Sequence, residues 1–180
     1  MYKDLEIKIS GTGGQGIVVA GEILAKGAVL KNYNASVIPS YGSQVKGGCV
    51  EVQIIISKEF IPAPFVGQLN ILCALSQIGY DNNLNLIKNE TTIFYDETLV
   101  KEIKDIGKHI PVPATQYCLE NFNTTLPANL FFIGFLTGYL KDYLNISDLE
   151  EILKEDKKLF TEINLKALKE GYLYFKEKEV

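Results

Sequence analysis

Leu5, Ile7 and Ile9 alternate with Glu6, Lys8 and Ser10, the two-residue period of a strand with one face buried. Directly downstream, Ile17, Ala20, Gly21, Leu24 and Ala28 recur at helical spacing, with Glu22 and Lys26 on the opposite side. Between the two runs lies Gly11-Thr12-Gly13-Gly14-Gln15-Gly16, so the opening segment reads as strand, tight turn and helix. Ala35 to Ile38 predicts a short strand ending at Pro39, and Val50, Val52, Ile54 and Ile56 a strongly alternating one. The connection between these two holds no crossover helix, which predicts an antiparallel pair. Pro62 and Pro64 mark a rigid connector, and Leu69 to Leu75 reads as a buried strand. Tyr80, Leu84 and Ile87 predict a short helix, Thr91 to Tyr95 a strand, and Leu99, Ile103 and Ile106 another short helix closed by Gly107. His109 to Pro113 fits only an edge or terminal strand, because its prolines donate no ladder bonds. The second half is helical. Pro127 sits in the first turn of an apolar helix covering Leu130 to Leu144, and Ser147 with Glu150 forms a capping box for the next. A last helix places Phe160, Ile163, Ala167, Gly171 and Tyr172 on one face.

Together these elements predict a single α/β domain over residues 1–180: a three-layer α/β/α arrangement around a mixed sheet. Its N-terminus is a Rossmann-like glycine-rich strand-turn-helix, and its C-terminal part is helical. The 47% of hydrophobic residues suffices for a substantial core. The Leu130 to Leu144 stretch contains Lys141 and Asp142 and is shorter than the roughly twenty residues of a membrane span, so it reads as a core helix. Tyr2, Lys3 and Asp4 lead straight into a strand with no apolar h-region, which makes a cytoplasmic location the expectation. A net charge of -4 provides no general basic field for nucleic acid. Every basic side chain except His109 is Lys, since the chain has no Arg. An anion must then be held by Lys, backbone N–H groups or hydroxyls. Cys49, Cys73 and Cys118 are far apart, lack metal-ligand spacing and read as reduced thiols.

Glycines between a strand and a helix either make only the turn, or also expose the free N–H groups of the first helical turn to an anion, phosphate above all. A P-loop would need Lys and then Ser or Thr after the last glycine, but Ile17 and Val18 stand there. A nicotinamide site would want an acid about twenty residues on, and no Asp or Glu occurs between Glu22 and Glu51. The segment Ser40-Tyr41-Gly42-Ser43-Gln44-Val45-Lys46-Gly47-Gly48 leaves a neighbouring strand. It is either a solvated hairpin loop or a cover for the first loop, with Lys46 as a phosphate cation and Tyr41 as a stacking surface. His109 reads as structural, with no partner in sequence for general-base work. Asn129 either caps the apolar helix or touches a ligand. No triad, metal cage or acid pair stands out.

The ordered set Ser10-Gly11-Thr12-Gly13-Gly14-Gln15-Gly16, Pro39-Ser40-Tyr41-Gly42 with Gly47-Gly48, and Ile56-Ser57 with Ile61 and Pro64 resembles the gamma subunit of 2-oxoacid:ferredoxin oxidoreductases. Pro111-Val112-Pro113-Ala114-Thr115, Asn129 with Gly134, and Asn164-Leu165-Lys166-Ala167 with Gly171-Tyr172 extend the resemblance from Leu5 to about Tyr172. The Ser-Tyr-Gly segment is most similar to the 2-oxoglutarate type. Lys46 stands where the family usually has Arg, which keeps the charge and loses bidentate contact.

The resemblance implies a part-enzyme. Partner alpha and beta subunits, with a delta subunit, carry thiamine diphosphate, magnesium and iron-sulfur clusters, and electrons pass to ferredoxin or another acceptor. Coenzyme A takes the acyl group, giving succinyl-CoA from 2-oxoglutarate. The gamma chain is expected to help bind coenzyme A and to hold the complex together. On that basis Gly11, Gly13, Gly14, Gln15 and Gly16 of the first loop, and Tyr41, Gly42, Lys46, Gly47 and Gly48 of the second, are the candidate binding residues. The alternatives are a purely structural assembly subunit and a free-standing nucleotide-binding oxidoreductase.

Overall fold

The computed structural model describes residues 4–42 and 48–178. Its strands are β1 (Asp4–Thr12), β2 (Asn34–Tyr41), β3 (Cys49–Ser57), β4 (Ile71–Ala74), β5 (Thr92–Asp96) and β6 (Lys108–Val112). The helices are α1 (Ile17–Leu30), α2 (Gln77–Asp81), α3 (Ala114–Phe122), α4 (Ala128–Tyr139), α5 (Ile146–Glu155) and α6 (Glu162–Lys178).

The strands form one sheet in the order β2-β3-β1-β4-β5-β6. β3 runs antiparallel to both β1 and β2, while β4, β5 and β6 continue parallel to β1. The sheet is therefore mixed, as the missing crossover helix before Val50 predicts. β1 lies inside it, with Ile7 opposite Ile54 on one side and Ile71 on the other. The carboxyl ends of β1, β4, β5 and β6 share one edge of the sheet, where ligands of open α/β sheets bind. The glycine-rich loop leaves from that edge.

The two faces of the sheet are covered unequally. Leu5, Ile7, Ile9, Val52, Ile54, Ile56, Cys73 and Phe94 pack against α1 and the helices of the second half in one large core. The opposite face buries Leu72, Ala74 and Ile93 beneath Tyr80, Ile87 and Val100 in a smaller core. The apolar α4 is buried from Asn129 to Gly138, between the sheet and α6. It meets α6 through facing glycines: a Cβ at Gly134 would strike Leu168 O, and one at Gly171 would strike Phe131 O.

Several local expectations need correction. β2 continues through Pro39 to Tyr41, because it is an edge strand and a proline there breaks no ladder bond. The helix expected at Tyr80, Leu84 and Ile87 is α2 followed by a separate 3-10 turn at Leu84–Leu86. Asn83, between them, turns inward and donates to Gly79 O and Glu51 Oε1. No helix forms across Leu99, Ile103 and Ile106. The amides of Lys101 and Glu102 donate to Gln77 Oε1 at 2.9 and 3.0 Å, and that of Lys104 to Tyr80 Oη at 2.9 Å, so side chains replace the helical acceptors. The Ser147–Glu150 capping box is absent: Asn145 occupies the N-cap and binds Asp148, while Glu150 pairs with Lys169 at 3.0 Å. α6 begins after Phe160, and its buried residues are Ala167, Leu168 and Gly171.

Candidate functional site

β1 ends at Thr12 and α1 begins at Ile17, with Gly16 at its N-cap. The four glycines between Gly11 and Gly16 answer to different demands. A Cβ at Gly11 would lie 2.5 Å from Gln15 Oε1 and 2.7 Å from Ile17 Cδ1. At Gly13 and Gly14 it would meet nothing within 4 Å among the described residues, and both glycines are exposed. Gly14 has φ of 94° and Gly16 of 67°, in the left-handed region that side chains other than glycine rarely occupy. Gly16 is also met from α4: Asn129 Nδ2 donates to its carbonyl at 3.2 Å and occupies the space a Cβ would need.

Gln15 turns into the loop. Its Oε1 accepts from Thr12 N at 2.6 Å and from Thr12 Oγ1 at 3.0 Å, and its Nε2 donates to Leu75 O at 2.7 Å. The amide of Thr12 is thereby taken from inside. The first turn of α1 leaves its N–H groups without intrahelical partners, and these, with Gly14, form the open donor surface. The positive end of the α1 dipole lies at the same place.

The second glycine-rich segment comes to the first one where it is described. Gly13 N donates to Gly48 O at 3.3 Å, and Gly42 N to Cys49 O at 2.7 Å. Tyr41 is 68% exposed at the end of β2. Lys46 and Gly47 lie outside the described residues.

Two clefts flank the loop. A cleft of about 270 Å³ is lined by Gly14, Gln15, Leu75, Asp96, Thr115 and Asn129, among others. A more apolar cleft of about 530 Å³ includes Gly16, Val19, Leu126, Leu130, Leu153 and Ile163. Asn129 and Leu126, the latter 83% exposed, line both. Among the described residues lining them none is a Lys.

Asp96, at the end of β5, is a cleft residue that sequence reasoning missed. Burial pushes its carboxyl above the usual value, against the bonds it accepts from Thr115 and Thr98. Thr115 Oγ1 donates to it at 2.6 Å, pinning the start of α3 to β5. The available signal was an acid ending an otherwise apolar strand.

The other candidates lie apart. His109 Nε2 is 3.1 Å from Tyr80 Oη on the thinly covered face. Lys8 and Glu51, unnoticed in sequence because strand alternation assigns them to solvent, form a 2.8 Å ion pair. Ser10 and Asn83 both donate to Glu51. Cys73 and Cys118 are buried thiols. Burial pushes both up, Cys118 to about 12.

The family described as pyruvate ferredoxin/flavodoxin oxidoreductase matches residues 6–174. The chain is 36% identical over 177 residues to the 2-oxoglutarate synthase subunit KorC of Methanocaldococcus jannaschii, covering 96% of this chain and 94% of that one. Among solved structures, the gamma subunit of a keto/oxoacid ferredoxin oxidoreductase from Geobacter sulfurreducens superposes with a TM-score of 0.80. It is 26% identical and covers 96% of this chain and 99% of its own. A 2-oxoglutarate:ferredoxin oxidoreductase from Magnetococcus marinus, with 2-oxoglutarate, coenzyme A and succinyl-CoA bound, has the same fold at a TM-score of 0.86 and 24% identity. The match covers 98% of this chain and 32% of that longer one.

Proposed function

The chain belongs to the pyruvate ferredoxin/flavodoxin oxidoreductase family, and from that premise we propose that it is the gamma subunit of a 2-oxoglutarate:ferredoxin oxidoreductase. In this role it holds the diphosphate of coenzyme A while partner subunits perform the oxidative decarboxylation. The substrate assignment follows the 2-oxoglutarate synthase relative, which matches nearly end to end. The subunit assignment agrees with the gamma-subunit structure of almost equal length. Thiamine diphosphate, magnesium and iron-sulfur clusters then belong to the alpha, beta and delta partners. Among the described residues no cluster of three His, Cys, Asp or Glu side chains comes together to hold a metal.

The observation that carries the coenzyme A role is the open main-chain surface at Gly14, beside the exposed Gly13 and against the first turn of a 14-residue helix. Such a surface accepts phosphate oxygens without requiring a cation. Gly13 offers a test, since a Cβ there meets none of the described residues within 4 Å and no positive φ forbids it. In the complex reconstituted with its partners, Gly13→Asp places a carboxylate where the phosphate would sit. Calorimetry should show coenzyme A binding weakened by about tenfold or more, or about 1.4 kcal/mol, with assembly intact. Unchanged affinity overturns the assignment.

A second role, in assembly alone, is favoured by one observation: Leu126 and Tyr41 project from the same edge, 83% and 68% exposed. In that case Gly13→Asp should disrupt co-purification of the subunits and leave coenzyme A affinity unchanged in whatever complex survives.

A further inference from the structure

We infer that Gln15 is a positioning residue for the anion site, one that fixes the loop's shape from within and does not itself touch the ligand. The inference rests on the coenzyme A reading above. Oε1 takes the backbone N–H and the hydroxyl of Thr12, and Nε2 takes the carbonyl of Leu75. Leu75 is itself anchored, its N–H donating to Ser10 O at 2.8 Å. One carboxamide therefore ties the loop to the ends of the adjacent parallel strands β1 and β4.

Gly11 belongs to the same device. A Cβ there would lie 2.5 Å from Gln15 Oε1, so the first glycine clears space for a side chain of the loop and not for a ligand. Because Oε1 fills the hollow and takes the Thr12 amide, a phosphate is received only outside, by Gly14 and the first turn of α1. Asn129 fixes the helical end of the same loop through Gly16 O. A loop held at both ends in its binding shape avoids the ordering cost that a free glycine-rich loop would meet at each encounter.

Few side chains satisfy both ends of this tie. Gln supplies an acceptor and a donor at the right length. Glu keeps the acceptor, loses the donor to Leu75 and adds a negative charge behind the phosphate site. Met keeps only the length.

The test uses the reconstituted complex with Gln15→Met, Gln15→Glu and, as a control, Gly13→Asp. Gln15→Met should raise KM for coenzyme A about tenfold with kcat at saturation within about twofold of wild type, the pattern of lost ground-state binding. Gln15→Glu should raise KM further at low salt, and its excess over Gln15→Met should shrink at about 0.5 M salt as the charge is screened. Amide exchange at Thr12 should quicken in Gln15→Met and stay slow in Gln15→Glu, a readout that survives even if one variant assembles poorly. Unchanged KM in Gln15→Met while Gly13→Asp weakens binding overturns the positioning role and leaves the coenzyme A reading standing. Unchanged binding in Gly13→Asp overturns both.

Discussion

Asn129 of α4 donates its side-chain amide to the carbonyl of Gly16 across 113 residues of sequence, at 3.2 Å. The same side chain fills the space a Cβ on Gly16 would need. Glycine at one position and asparagine at the other are therefore parts of one contact. Gly16→Ala should cost about 1–2 kcal/mol in left-handed strain plus the displacement of Asn129. In an Asn129→Ala background only the strain should remain. Urea unfolding of the four species of this double-mutant cycle should give a coupling of about 1 kcal/mol or more.

The α4–α6 crossing makes a prediction opposite in sign to helix propensity. Ala in a helix interior is better than Gly by up to about 1 kcal/mol, yet a Cβ at Gly171 would strike the carbonyl oxygen of Phe131. Gly171→Ala should destabilise the chain by at least about 2 kcal/mol and lower its Tm by roughly 4–8 °C, measured by thermal denaturation.

Glu51 stabilises the fold only when ionised. Burial raises its pKa, but the hydrogen bonds from Lys8, Asn83 and Ser10 and the charge of Lys8 outweigh that, leaving it below its ordinary 4.5. Its contribution is present above that ordinary value and is lost as pH falls through the lower folded value. Glu51→Gln leaves Lys8, 8% exposed, without its counter-charge and should cost about 3 kcal/mol or more at neutral pH. Urea midpoints between about pH 5 and pH 3 should fall less steeply in the variant than in wild type.

His109 works in a higher pH window. Tyr80 Oη accepts the Lys104 amide at 2.9 Å and lies 3.1 Å from His109 Nε2. Burial lowers the pKa of His109 from the ordinary 6.5, with partial opposition from Asp105. The neutral form therefore stabilises the fold fully above 6.5, and this is lost as pH falls through the lower folded value. Wild-type stability should fall between about pH 7 and pH 5, and His109→Gln should flatten that slope in urea titrations.

Much of this architecture is legible in the residues. The alternation at Leu5, Ile7 and Ile9, the glycine cluster and the helical period from Ile17 place the central strand and loop. The missing crossover before Val50 gives the antiparallel pair. What escapes reading is set by distant partners. Leu99, Ile103 and Ile106 have helical spacing, yet Gln77 and Tyr80 claim the amides between them. Glu150 suits a capping box until Lys169 comes alongside. Gln15 resembles a ligand contact because nothing local shows that Leu75 O lies within reach. Asp96 and Thr115 meet only once β5 and α3 are placed.

The most direct measurement is the structure of the intact assembly, gamma chain included, with coenzyme A bound. Diphosphate oxygens should lie within about 3.2 Å of the main-chain nitrogens at Gly14 and the first turn of α1, with Gln15 still bonded to Thr12 and Leu75. Coenzyme A lodged elsewhere, with Gly13 and Gly14 buried against a partner subunit, would contradict the coenzyme A role.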